Sequence, residues 1–150
     1  MRDILFRGKR KNGTWITGCP ICVKIAGQEC WLIFGKEFLF DGTNAKSLNH
    51  ALVNPETIGE WTGLCDDNKQ KIFEGDILHL KSTQEDFDFH AVVEFGNPNG
   101  YYSWGWQLRP IHGSAPNLDI LLWVETELGM YGMSCEIVGN VHENKEMGHK

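Results

Sequence analysis

Between Gly59 and Leu80 the chain reads GEWTGLCDDNKQKIFEGDILHL, two apolar runs about a polar turn, the second set off by Glu74-Gly75-Asp76. Short apolar runs punctuated by turn residues favour strands, because an amphipathic helix needs apolar positions recurring at every third or fourth residue. The same grammar runs through the sequence. Asp3 to Arg7 alternates with Ile4 and Phe6 on one face, and Asn12-Gly13 supplies a hairpin turn from which Thr14 to Gly18 returns. Ile21 to Ile25 and Glu29 to Phe34 form a second pair about Ala26-Gly27-Gln28, with Glu37 to Phe40 a short strand ending at Asp41-Gly42. Ile77 to Leu80 reads as a strand after Gly75-Asp76, and Ala91 to Phe95 pairs with Tyr101 to Leu108 across Asn97-Pro98-Asn99-Gly100. Glu136 to Val141 is the last strand. One helix is expected, over Leu118 to Leu128 between Asn117 and Gly129, although Trp123 and Val124 suit a strand equally well.

The chain has 150 residues, one domain's worth, with subdomains expected over 1–55 and 56–144 and a polar tail after them. The fold expected is α+β and strand-dominated: an N-terminal β-hairpin region and a C-terminal small antiparallel β-barrel from about Trp61 to Val141, with little helix.

A formal charge of −6 sets the average field against phosphate and anionic lipid, so nucleic acid is a disfavoured partner. The basic group Arg2, Arg7, Lys9, Arg10 and Lys11 is short for a polyanion arm and reads first as a solvated hairpin tip. No run approaches the roughly 20 apolar residues of a membrane helix, and the N-terminus lacks a signal core, which leads to the expectation of a cytoplasmic protein. Five cysteines, an odd number, argue for reduced thiols.

Few constellations suggest chemistry. Cys19-Pro20-Ile21-Cys22 with Cys30 nearby has the spacing of a partial zinc site or a redox pair, but a structural zinc needs four ligands and a redox pair needs a helix N-terminus. Asp66, Asp67, Asn68, Glu74 and Asp76 resemble a cation loop in composition and not in spacing, so they read as turn caps. The six histidines stand apart in sequence, without an H-x-x-x-H pair or a nucleophile elbow, and no glycine loop suits a phosphate. No cofactor and no catalytic residue are expected. Tyr102, Trp104 and Trp106 fall on one face of a strand; they read as core first and as an aromatic binding face second.

MRDILFRGK at Met1 to Lys9, ETIGEWTGLCDDNKQKIFEGDIL from Glu56, VVEFG at Val92 to Gly96 and EIVGNVHENKEM from Glu136 resemble, in order, the blocks of the YopX family of prophage and phage proteins. The resemblance implies a mixed, strand-dominated fold and a mobile-element origin in a bacterium, and it brings no activity with it. Two positions depart from the pattern. Trp61 replaces the usual Tyr or Phe, keeping an aromatic, and Asn68-Lys69 replaces Asn-Gly, so Lys69 must hold a positive φ or the turn must change. The function expected is a non-enzymatic accessory protein of a prophage that binds a host or phage macromolecule, with a protein partner foremost. Asp66, Asp67, Asn68, Lys69, Trp104 and Trp106 are the candidate binding residues. A nucleic-acid-binding barrel and a metal or redox protein using Cys19, Cys22 and Cys30 are the rival readings, and strand edges make a homo-oligomer a further expectation.

Overall fold

The computed structural model describes residues 3–35, 50–82, 86–98, 100, 104–115 and 133–148. Most of these are strand. In chain order they are β1 (Phe6–Arg10), β2 (Trp15–Ile25), β3 (Gln28–Phe34), β4 (Leu52–Cys65), β5 (Lys71–Phe73), β6 (Asp76–Ser82), β7 (Asp88–Gly96), β8 (Gly105–Ser114) and β9 (Met133–Asn140), followed by a helical turn, α1 (Lys145–Gly148). No helix among the described residues is long and apolar enough to cross a membrane. The chain divides into two compact units, Met1–Trp61 and Thr62–Lys150.

In the first unit, β1 pairs with β2, β2 with β3, β3 with β4, and β4 returns to β1, all antiparallel, so four strands close into a ring. Closure is made by residues far apart in sequence, Arg7 opposite Gly59 and Arg10 opposite Val53, with a register shift between Arg7 and Lys9. Pro55 lies within the shift, where a residue without an N–H can sit in a strand. Thr57 bridges the gap: its hydroxyl accepts from the Lys9 N–H at 2.8 Å and donates to the Asn54 carbonyl at 2.7 Å. A ring this small is tight inside. A Cβ on Gly8 would stand 2.8 Å from Ile33 Cδ1, and one on Gly18 would collide with the Phe34 carbonyl. Leu32, Ile33, Ala51 and Val53 are buried here.

The second unit holds the end of β4, which β5 borders, and an antiparallel sheet in the order β8-β7-β6-β9. Its residues alternate cleanly. Leu78, Leu80, Phe89, Ala91, Val93, Leu108, Met133 and Cys135 bury one face together with Ile72 of β5. On the other face, Ile77, Val92 and Ile111 form a smaller cluster, beside which the polar residues of the sheet stand.

Strand dominance and a closed barrel were both expected, and the ring that the described residues close is made by β1 to β4. The physical reason is the β1–β4 ladder: pairing across fifty residues leaves no local pattern, whereas among the described residues β8 and β9 remain at opposite edges of their sheet. Thr14 to Gly18 and Ile21 to Ile25 also merge into the single strand β2, and Leu52 to Cys65 runs without a break through Pro55. The boundary between units falls after Trp61 rather than after residue 55. The helix expected over Leu118 to Leu128, the strand over Glu37 to Phe40, and Tyr101 and Tyr102 lie outside the described residues.

Candidate functional site

The polar loop after β4 is bound to β9. Asp66, only 3% exposed, accepts from the Gln70 N–H through Oδ1 at 2.8 Å and from the Ile137 N–H through Oδ2 at 3.2 Å. Asp67 exchanges two bonds with Cys135, its Oδ2 accepting from the Cys135 N–H at 2.8 Å and its own N–H donating to the Cys135 carbonyl at 3.0 Å. Asn68 reaches Glu136 Oε1 at 3.4 Å. Lys69 occupies the left-handed region at φ +64°, so the position expected of glycine keeps its backbone conformation with a side chain present. Asp76, fully buried, accepts from the Phe73 N–H at 2.8 Å and fixes the turn at Glu74-Gly75. Each of these carboxylates faces backbone donors, which is how a short acidic side chain closes a loop.

The aromatic residues separate. Trp106 is half-buried against the main apolar cluster and meets Phe95 edge to face at 5.0 Å, while Trp104 precedes β8 and is 76% exposed. Phe95 is itself 56% exposed, and Gly96, at φ +119°, lies beside the Trp104 ring, which a Cβ there would meet at an ordinary contact of 3.7 Å. The core reading holds for Trp106 and fails for Trp104, because the strand begins only at Gly105 and alternation does not extend back to it. The product is an aromatic patch of Phe95, Trp104 and Trp106 at one end of the β7–β8 hairpin.

In the first unit, Cys19 and Cys22 lie three residues apart on β2 and therefore point to opposite faces. Cys30 stands opposite Val23, on the face of Cys19 but four residues further along, about 13 Å at about 3.3 Å per residue. The register therefore does not gather the three sulfurs, and among the described residues no three His, Cys, Asp or Glu side chains converge as a metal centre. In the second unit Cys135 is buried; burial first, then the nearby Asp67, Asp66 and Glu136 carboxylates, push its thiol up to about 12.

The basic turn is built on an indole. The Arg7 guanidinium lies 4.7 Å and the Lys9 ammonium 5.9 Å from the Trp15 ring centre. Arg10 Nε donates to the His50 carbonyl at 2.6 Å, and its Nη1 to Thr14 Oγ1 at 3.2 Å. Behind the turn, Lys9, Arg10, Lys11, Glu29, Trp31 and Pro55 are among the residues that line a cavity of about 580 Å³.

Sequence reading missed the histidines of the second unit. His79 on β6 stands opposite His90 on β7, which stands opposite His112 on β8, and Glu136 of β9 faces His79 from the other side. The His79 and His90 rings stack at 4.6 Å with 8° between their planes, and His112 is 6.2 Å beyond. A bulge on β8 makes the row possible: Ile111 joins the apolar cluster of Ile77 and Val92, and the next residue, His112, reaches His90. His79 Nε2 bonds Asp88 Oδ1 at 2.8 Å, and Lys81 Nζ lies 3.4 Å from the other carboxylate oxygen. The hydrogen bond to His79 holds the Asp88 carboxyl below its usual range. His90 is held below the ordinary histidine value by burial first, then by His79 and His112 on either side, with Asp88 opposing.

Comparison with curated proteins finds no match. Among solved structures, the crystal structure of protein EF1440 from Enterococcus faecalis is similar at a TM-score of 0.47 and 16% identity, covering 99% of this chain and 100% of that one. The family model described as YopX protein matches residues 6–147, nearly the whole length, and the chain belongs to the YopX family.

Proposed function

We propose that the protein is a non-enzymatic accessory protein of a prophage, cytoplasmic in the bacterial host, that docks a host or phage protein. One observation carries the reading: the patch of Phe95, Trp104 and Trp106, two of whose rings are largely in solvent while the third is rooted in the core. Aromatic residues are the usual anchors of protein interfaces, since they bring large apolar area with little side-chain entropy to lose. The polar loop plays the supporting part, with Asn68 and Lys69 exposed and Asp66 and Asp67 bound to β9. The test is affinity capture from host lysate with the full chain and its Trp104→Ala variant. A specific protein retained by the first and lost by the second is expected; equal retention, or recovery of the bait alone, rejects the patch as the docking surface.

A second reading is supported by the Arg7, Lys9 and Trp15 cluster of the first unit, since cations stacked on an indole beside a basic cavity suit a nucleic-acid strand. Titration against single-stranded and duplex oligonucleotides should then give binding that weakens steeply with salt, and an absence of binding at low salt disposes of it.

A further inference from the structure

The imidazoles of β6, β7 and β8 come from separate strands and share one row on one face of the sheet. His79 is oriented within it. A carboxylate only accepts hydrogen bonds, so the 2.8 Å contact with Asp88 places the proton on His79 Nε2 and leaves the Nδ1 lone pair free in the neutral ring. Metal-bound histidines are held the same way, their far N–H given to a carboxylate that fixes the tautomer and raises the basicity of the ligating nitrogen. Lys81 secures Asp88 at its other oxygen, and Glu136 adds negative charge at the end of the row.

We propose that His79, His90 and His112 form a binding site for a divalent transition ion of the imidazole-preferring kind, zinc or its first-row neighbours, with Asp88 as the outer partner that orients His79. The row is open to solvent: His112 is exposed, and the side chains of His79 and Asp88 are 30% and 55% exposed. Stacked rings cannot both direct lone pairs at one ion, and no three ligands converge as the side chains stand. Binding therefore turns the imidazoles about their own side-chain bonds while the strands stay in place. For the His79–His90 pair the movement is small. Zinc–nitrogen bonds of about 2.0–2.1 Å put two ligand nitrogens roughly 3.3 Å apart, which rings 4.6 Å apart reach by tilting toward each other. His112 closes the third position, and water completes the shell.

The test is a titration of the full chain with Zn2+ alone, read by nitrogen-resolved NMR of the six imidazoles. One equivalent is expected to shift the ring nitrogens of His79, His90 and His112, and to leave those of His50, His142 and His149 unmoved. His90→Gln should abolish the shifts, and Asp88→Ala should weaken binding by about 10- to 100-fold, the effect of losing an outer-shell partner. Should His90→Gln disturb the sheet, the exposed His112→Gln serves in its place and should also weaken binding. Zinc that moves no ring of the row, or that binds both glutamine variants as it binds the wild type, as it would on the exposed thiols, overturns the proposal.

Discussion

The loop at Asp66 to Gln70 and the row of His79, His90 and His112 are opposites. The loop crowds its polar residues into one stretch of sequence, and the structure turns its carboxylates toward backbone N–H groups of its own turn and of β9. The histidines are scattered over the chain, and sheet register assembles them. Density of polar residues in sequence thus marks a structural element here, while an assembly with binding chemistry is written in strand pairing.

Asp66→Ala removes the acceptor of two N–H groups in a buried setting and should destabilise the protein by about 3 kcal/mol in urea unfolding; a loss within experimental error would mean the loop is not structural. Asp67→Ala removes one bond from an exposed side chain, and about 1 kcal/mol is expected by the same measurement. Lys69→Gly should act in the opposite direction, raising stability by about 0.5–1 kcal/mol because a β-carbon is strained at φ +64°.

The histidine row should show itself through pH. His90 titrates lower in the folded chain than in the unfolded one, so the unfolded state binds more protons in between. Stability is then complete above about pH 6.5 and falls as the solution is acidified through the folded value, with Asp88 adding a further loss below its ordinary carboxylate range. Denaturant midpoints followed from pH 7.5 to 5 should fall for the wild type and stay flatter for His90→Gln. The smallest effect is expected for His112→Gln, within about 0.5 kcal/mol at neutral pH, since an exposed ring contributes little to folding.

What was legible in the sequence was local. Asn12-Gly13 marks a hairpin that forms as expected, the segments either side of Asn97 pair as β7 and β8 although the return begins only at Gly105, Asp76 ties its turn, and the lysine standing where glycine is usual keeps the backbone of glycine. What was not legible depended on partners distant in the chain. The closing ladder of Arg7 with Gly59 leaves no trace in either segment alone, because each alternates as it would against any neighbour. Trp104 was misplaced by a strand whose beginning at Gly105 no periodicity reveals. The histidine row was hidden twice, by the separation of its strands and by the bulge at Ile111, which shifts the parity of every residue after it.

The outward N–H groups of Cys135 and Ile137 are already taken by carboxylates, and the Cys135 carbonyl by a backbone donor. An incoming β-strand would have to displace two anions at these positions of the border. The same aspartates that close a turn therefore also blunt this stretch of the sheet edge against strand addition.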